Sequence, residues 1–179
     1  MIEPSAARQL DLIGMVHRLL SNKGIPHWLA GGWGIDFLLG RATRKHGDID
    51  FAVWLDDWPQ VEALLLAQGF TPRDNAFPDE TARLLKEGCP FEFYLLQRDA
   101  TGWIVVGGRW SDWPFPEGSF GTQTASLGGH ECPVLSPEGQ LDSKERWPHH
   151  PYGGPLRDKD IHDIAILQEH LLHKSVAPI

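Results

Sequence analysis

Cysteine is nearly missing from this chain of 179 residues, which carries only Cys89 and Cys132. Two such distant thiols offer neither the close spacing of a zinc ligand set nor the density of a disulfide framework. Basic charge is short as well: 16 Lys and Arg stand against 24 acids, for a formal net charge of −8. That deficit argues against nonspecific binding to a nucleic-acid backbone, which needs basic patches. It is compatible with a cationic small molecule, but charge alone does not select one. No apolar run approaches the roughly 18 residues of a membrane span. The opening stretch MIEPSAARQLDLIGMVHRLL carries acids and breaks up its apolar residues at helical spacing, so no signal peptide is expected and a cytoplasmic protein is. Repeats, low-complexity tracts and long linkers are absent too.

What the chain does have is 41% hydrophobic residues and eight tryptophans, enough to bury a sizeable core and to exclude disorder. The length suits one compact unit, with a core over 1–135 and a C-terminal helical segment over 136–179 packed on it. Leu10, Ile13, Val16 and Leu20 recur at helical spacing between Ser5 and Asn22, and Gly24 and Pro26 end that helix. A short buried strand, His27 to Ala30, follows, then a helix from Trp33 to Leu39 stopped by Gly40. Asp48 to Leu55 reads as a strand and Trp58 to Gln68 as a helix with proline in its first turn. Thr81–Lys86 and Pro90–Gln97 predict a hairpin about Glu87-Gly88, and a second hairpin is predicted about Gly128-Gly129. Trp103–Val106 reads as a strand, Ser136-Pro137 as a helix start, and Asp158–His173 as a last helix. Strand–helix alternation of this kind implies mixed helix and sheet rather than an all-β chain.

The chemistry concentrates between Leu29 and Trp54, in LAGGWGIDFLLGRATRKHGDIDFAVW. Asp48 and Asp50 are two apart on a predicted strand, so both carboxylates project from one face. They repel unless a cation sits between them, and a divalent metal is the usual answer. Gly31 and Gly32 end a strand where a helix begins, and bare N–H groups at such a turn can receive phosphate. The loop from Arg41 to His46 is basic, and Arg44 is its candidate for a bidentate phosphate contact. Acids on a strand end can hold two ions about 3.5–4 Å apart, suited to in-line phosphoryl or nucleotidyl displacement. A third acid would complete the second ion site or accept the proton of an incoming hydroxyl. Glu92 is the best candidate, with Glu80 and Asp99 behind it; on residues alone, PFEFYLLQ reads as an edge strand with Glu92 in solvent.

Ala30-Gly-Gly-Trp-Gly-Ile-Asp36, Gly40-Arg-Ala-Thr-Arg44 and His46-Gly-Asp-Ile-Asp50 together resemble the antibiotic nucleotidyltransferases. The pattern is most similar to the small lincosamide nucleotidyltransferases and the aminoglycoside 2''-adenylyltransferases, and Arg157-Asp-Lys-Asp-Ile-His-Asp163 resembles the start of a late helix in them. The resemblance implies an α+β nucleotidyltransferase (polymerase β-like) fold, a small mixed sheet backed by helices. It implies transfer of a nucleoside monophosphate from an NTP, with ATP expected, to a hydroxyl of an aminoglycoside or lincosamide, and release of pyrophosphate. Asp48, Asp50 and Glu92 would then bind two Mg²⁺ ions, with Glu92 as base. Gly31, Gly32 and Arg44 would cradle the triphosphate, and Lys159 would reach a phosphate or pair with neighbouring acids. The family pattern often has Asp where this chain has Glu92.

Around that core, Asp36 is expected on the helix surface or in packing, and His46 either behind Asp48 or in a loop without a role. His149 and His150 are expected in a flexible loop. Trp103, Trp110 and Trp113 are candidates for an acceptor pocket, with core packing as the alternative. A monomer or homodimer acting on a small molecule, with no nucleic-acid or membrane partner, is the expectation. Two other readings compete: a glycosyltransferase whose Asp-x-Asp binds a sugar nucleotide, and a regulatory or antitoxin-like module that retains the fold.

Overall fold

A computed structural model describes residues 5–176; the outermost residues of both predicted segments lie outside that range. Helix α1, Ala6–Ser21, starts where the Ser5 side chain accepts a hydrogen bond from the Arg8 N–H, and it buries Leu12, Ile13, Val16 and Leu20. Strand β1, His27–Ala30, runs directly into α2, Gly31–Leu39. The predicted Gly-Gly turn is therefore the first turn of the helix itself. Gly40, in the left-handed region at φ +66°, ends it by closing back on the Asp36 and Phe37 carbonyls.

Strand β2, Ile49–Trp54, leads through a short 3₁₀ turn to α3, Trp58–Ala67. Next come β3, Thr71–Pro72, β4, Thr81–Lys86, and β5, Cys89–Arg98. Glu87 and Gly88 both have positive φ, 51° and 79°, as a two-residue hairpin turn requires. Strand β6, Ile104–Val106, follows, then the hairpin of β7, Thr124–Leu127, and β8, His130–Pro133. Helix α4, Pro137–Arg146, is capped by Ser136 accepting from the Gly139 N–H, and α5 spans Asp158–Val176. No helix among the described residues is long and apolar enough to cross a membrane.

The main sheet runs β1–β2–β5–β4–β3, with β6 on the C-terminal part of β5. Only the β2–β5 pairing within it is parallel, which makes the sheet mixed. Strand β5 is internal, flanked by β2 and β4, so the edge-strand reading of PFEFYLLQ is wrong. Its alternation does hold: Phe91, Phe93 and Leu95 are buried while Glu92 and Tyr94 are half-buried on the opposite face. The first face packs beneath α1 and α3, with Phe51 and Phe93 stacked at 5.8 Å. The second carries Trp28, Ala52, Leu96 and Val106 under an aromatic layer, and it is the face to which Asp50 and Glu92 belong.

At the far end of β1 from the acids, His27 is buried against Phe51. Its Nδ1–H donates to the Ile25 carbonyl, so Nε2 is left to accept from His17 Nδ1 at 2.9 Å. Burial pushes the His27 pKa down from 6.5 to about 4. The folded chain therefore binds fewer protons than the unfolded one between those values, and stability is full above 6.5 and drains as pH falls toward 4. The nominal cost is about 3 kcal/mol. Urea midpoints should fall over that window in the parent protein and fall less in His27→Gln; equal slopes would place the acid sensitivity elsewhere.

Candidate active site

The pairing register assembles the acids. Ala30, the last residue of β1, lies opposite Asp50 on one side of β2, and Glu92 lies opposite Asp50 on the other. Asp48 stands one residue before β2 begins, exposed at its mouth. Neither Asp48 nor Asp50 has a salt-bridge partner among the described residues, whereas Glu92 accepts from the Arg83 Nε–H at 3.0 Å across the β4–β5 ladder. Burial, then the charges of Asp48 and Glu92, push the Asp50 pKa up to about 8, against the pull of Lys144 and Lys159. A carboxylate held beside two others without a bound cation is a site that gains from a hard divalent ion. The donor set is all oxygen, which fits Mg²⁺ and not a soft metal. Among the described residues the three ligands whose atoms all lie within 4.8 Å of one another are His17, His27 and Cys132. The hydrogen bonds from His17 through His27 to Ile25 account for the two rings of that group.

The glycines are demanded by what crowds them. Gly31 has φ +60°, and a Cβ there would overlap the Asp50 carboxylate. A Cβ on Gly32 would strike the His46 ring and the Arg44 guanidinium. Ala30 gives α2 no side-chain cap, so the first N–H groups of the helix keep their capacity to receive an anion. Gly31→Ala should displace Asp50 and, since about 1 Å of misplacement can cost roughly 10²-fold, lower turnover by that order. The expected companion is a reduced Tm; unchanged turnover would show that the carboxylate tolerates the shift.

The basic loop is held from below. Asp36 is fully buried, an anchor and not a surface residue: it accepts from the Thr43 N–H and hydroxyl and from His46 Nε2 at 2.6 Å. Arg44 Nη1 points at His46 Nδ1, so the ring proton sits on Nε2. His46 is thus buried and shapes the loop that delivers Asp48. Arg44 itself forks onto Asp163 of α5, with Nε–Oδ1 at 2.9 Å and Nη2–Oδ2 at 2.8 Å. Asp163 also takes Lys144 of α4 at 2.9 Å, and Asp160 takes both Lys144 and Arg157. Burial raises the Asp163 pKa, but the Arg44 hydrogen bond and the Lys144 charge outweigh it and hold the group below the usual carboxylate range. Removing one partner of a buried pair leaves charge uncompensated, so Asp163→Ala should cost about 3 kcal/mol of unfolding free energy. A loss under about 1 kcal/mol, as at surface pairs, would make the network ornamental.

The other candidates separate cleanly. Lys159 acts on Asp50 through its charge and makes no salt bridge among the described residues, so the acids near it are served by Lys144 and Arg157 instead. Glu80 is buried and taken by Arg109 at 2.8 Å and Trp110 at 3.1 Å, and Asp99 caps a turn at Thr101 and Trp103. Trp110 and Trp113 line a cavity of about 470 Å³ that also contains Gly31, Glu92 and Tyr94, while Trp103 is 47% exposed and outside it. His150 is no loose loop residue: it stacks on Trp113 and reaches Asp112. Lys144 and Trp147, cavity residues on the C-terminal segment, carried no local signal in the sequence; only their position beside the site marks them.

Comparison with known proteins places this geometry. A 2''-aminoglycoside nucleotidyltransferase of Escherichia coli is 38% identical over 56 residues, 30% of this chain and 32% of that protein. A lincosamide resistance protein of Staphylococcus haemolyticus is 47% identical over 32 residues, 18% of this chain and 20% of that protein. These alignments span a third or less of the curated relatives. Among solved structures, ANT(2'')-Ia in complex with adenylyl-2''-tobramycin superposes with a TM-score of 0.72 at 20% identity, covering 94% of this chain and 92% of that one. Lincomycin-bound LnuA, a lincosamide antibiotic adenylyltransferase, gives 0.66 at 22%, covering 93% and 98%. The fold is therefore that of the nucleotidyltransferases. The aminoglycoside-2''-adenylyltransferase family profile matches residues 12–167, and the chain belongs to that family.

Proposed function

We propose that this protein is a Mg²⁺-dependent nucleotidyltransferase that moves AMP from ATP to a hydroxyl of a small antibiotic-like molecule. The observation that carries the reading is the register that sets Asp50 between Ala30 and Glu92, with Asp48 adjoining and an uncapped helix N-terminus beside them. The family and the antibiotic-bound relatives support the acceptor class.

Asp48 and Asp50 would hold the metal, with Glu92 completing the set, and a pair of Mg²⁺ ions held by them would supply charge stabilisation at the α-phosphorus and make the acceptor hydroxyl more acidic. Gly31 and Gly32 offer backbone N–H groups to the triphosphate, and Lys159 adds an ammonium group whose charge already acts on Asp50. Arg44 has Nε and Nη2 committed to Asp163, so it contributes charge beside the phosphates rather than an open fork. Glu92 takes the proton of the acceptor hydroxyl as its oxygen bonds to the α-phosphorus; the α–β anhydride bond breaks and pyrophosphate leaves. Lys144 and Arg157 line the cavity beside Glu92, which supports reading the C-terminal segment and the core as one unit. The protein works in the cytoplasm, as a monomer or homodimer.

Incubation with labelled ATP, Mg²⁺ and an acceptor panel tests this directly. Label should move to a small molecule with stoichiometric pyrophosphate, and chelation should stop it. Label on protein, or on nothing, would favour a regulatory module of the same fold.

A further inference from the structure

We infer that His17, His27 and Cys132 form a second cation site, for a borderline-soft divalent ion and above all Zn²⁺, at the end of β1 remote from the acids. None of the three residues lines the cavity beside Glu92, so the site stands apart from nucleotidyl transfer. His27 lies opposite Val53, whereas Ala30 at the other end of the same strand lies opposite Asp50. The donors come from three elements: His17 from α1, His27 from β1 and Cys132 from β8. Their ligand atoms all lie within 4.8 Å of one another. A tetrahedral Zn²⁺ holds nitrogen at about 2.0–2.1 Å and sulfur at about 2.3 Å, which sets its ligand atoms roughly 3.3–3.6 Å apart. His17 Nδ1 and His27 Nε2 stand at 2.9 Å, so that pair would open by roughly 0.4 Å. Two imidazoles and a thiol suit zinc, and not the magnesium that the all-oxygen acids suit.

His27 Nδ1–H donates to the Ile25 carbonyl at 2.8 Å, the outer hydrogen bond that fixes the tautomer of a metal-bound histidine and leaves Nε2 its lone pair. The His17 Nδ1 proton meets that lone pair, and Ser21 Oγ lies 3.3 Å from the same nitrogen on the exposed side. An ion would take the proton's place. The His17 proton then moves to Nε2 and the Cys132 thiol gives its proton to solvent, so one proton leaves per ion bound. Burial keeps the thiol protonated, its pKa pushed up to about 12, but a coordinated ion deprotonates it outright. The Glu131 carboxylate acts on both His17 and Cys132 and favours a cation there, against the charge of Arg18. Half-buried His17 gives the ion a way in from solvent. The consequence is mechanical. Strand β8 is followed by the bridge of Val134 to Leu29, and then by α4, which carries Lys144 to the cavity. An ion joining Cys132 to α1 and β1 would clamp the β7–β8 hairpin onto the main sheet.

Cobalt substitution tests this on the full chain, stripped with a chelator, kept reduced and then freed of chelator. Co²⁺ should bind one equivalent and show a near-ultraviolet sulfur-to-cobalt charge-transfer band with the intense visible bands of tetrahedral coordination; Zn²⁺ should displace it. In Asp50→Asn, where the proposed magnesium site is lost, Zn²⁺ should still raise the Tm and Mg²⁺ should not. His17→Ala and Cys132→Ser should each weaken Zn²⁺ binding about 10²-fold or more, since losing an outer hydrogen-bond partner alone costs roughly 10–100-fold. The sulfur band should vanish in Cys132→Ser and persist in Cys89→Ala. Should Cys132→Ser not fold, His17→Ala on the half-buried helix position decides. Bound Co²⁺ without the sulfur band would overturn the inference, as would parental affinity in His17→Ala. So would a Zn²⁺ response that disappears in Asp50→Asn, or no binding at about tenfold excess of metal over protein. All of this is read without ATP or acceptor, so failure here leaves the transfer reading standing, and failure of transfer leaves this site standing.

Discussion

Asp50→Asn should lower nucleotidyl transfer by three orders of magnitude or more, on the order of what losing a preorganised charge at a phosphoryl-transfer site removes. The same substitution should make the metal-free protein more stable. In the parent, Asp50 is pushed up to about 8 by burial and by Asp48 and Glu92. A carboxyl raised in the folded state is accommodated at low pH and becomes a burden as pH climbs from its ordinary value near 3.8 toward 8. The stability gap between Asp50→Asn and the parent should therefore open across that range and reach a few kcal/mol at most. Mg²⁺ should close it by raising the parent's Tm and leaving the variant's unmoved. A variant with full activity, or with a parental Tm response to Mg²⁺, would remove Asp50 from the metal site.

Glu92→Gln should separate binding from chemistry. The amide keeps the size of the side chain and its place in β5 but cannot accept the hydroxyl proton, so kcat should fall about 10²–10⁴-fold. The KM for ATP should change little, because the proposed phosphate grip is formed by α2 and the loop before β2, not by β5. Arg83→Ala provides the contrast. Its ion pair with Glu92 is partly exposed, and such pairs contribute under about 1 kcal/mol. Its effect on kcat should be correspondingly small. If Glu92→Gln turned over at the parental rate, the base would lie elsewhere in the cavity. If Arg83→Ala matched the Glu92→Gln loss, the arginine would be positioning the carboxylate.

Much of the scaffold was legible because its signals are local. The hairpin at Glu87-Gly88 is written in two turn residues, the start of α4 in Ser136-Pro137, and the opposed faces of β5 in a period of two. The Asp48-x-Asp50 pair and the two glycines are also short-range patterns, and the family resemblance rests on them. Glu92 was readable as a candidate, yet its strand looked like an edge because alternation says nothing about how many neighbours a strand has. The parallel register that seats Glu92 opposite Asp50 depends on β2 and β5 both burying phenylalanines beneath α1 and α3.

Tertiary structure alone decided the electrostatics. Arg44 looked like a free phosphate hook, but its partner Asp163 lies 119 residues away, and no spacing rule reaches that far. Asp36 and His46 are polar letters in a helix and a loop; burial turned them into the struts of that loop. The cavity follows the same logic, since indoles from two separate stretches meet over one sheet face while exposed Trp103 stays outside. By itself the sequence determined the elements, the two strand-end aspartates and the glycines that make room beside them, because backbone propensity and periodicity act over a few residues. Which charges neutralise one another, and which rings line the cavity, were decided only when the chain closed, because Coulombic and packing partners are chosen by distance in space.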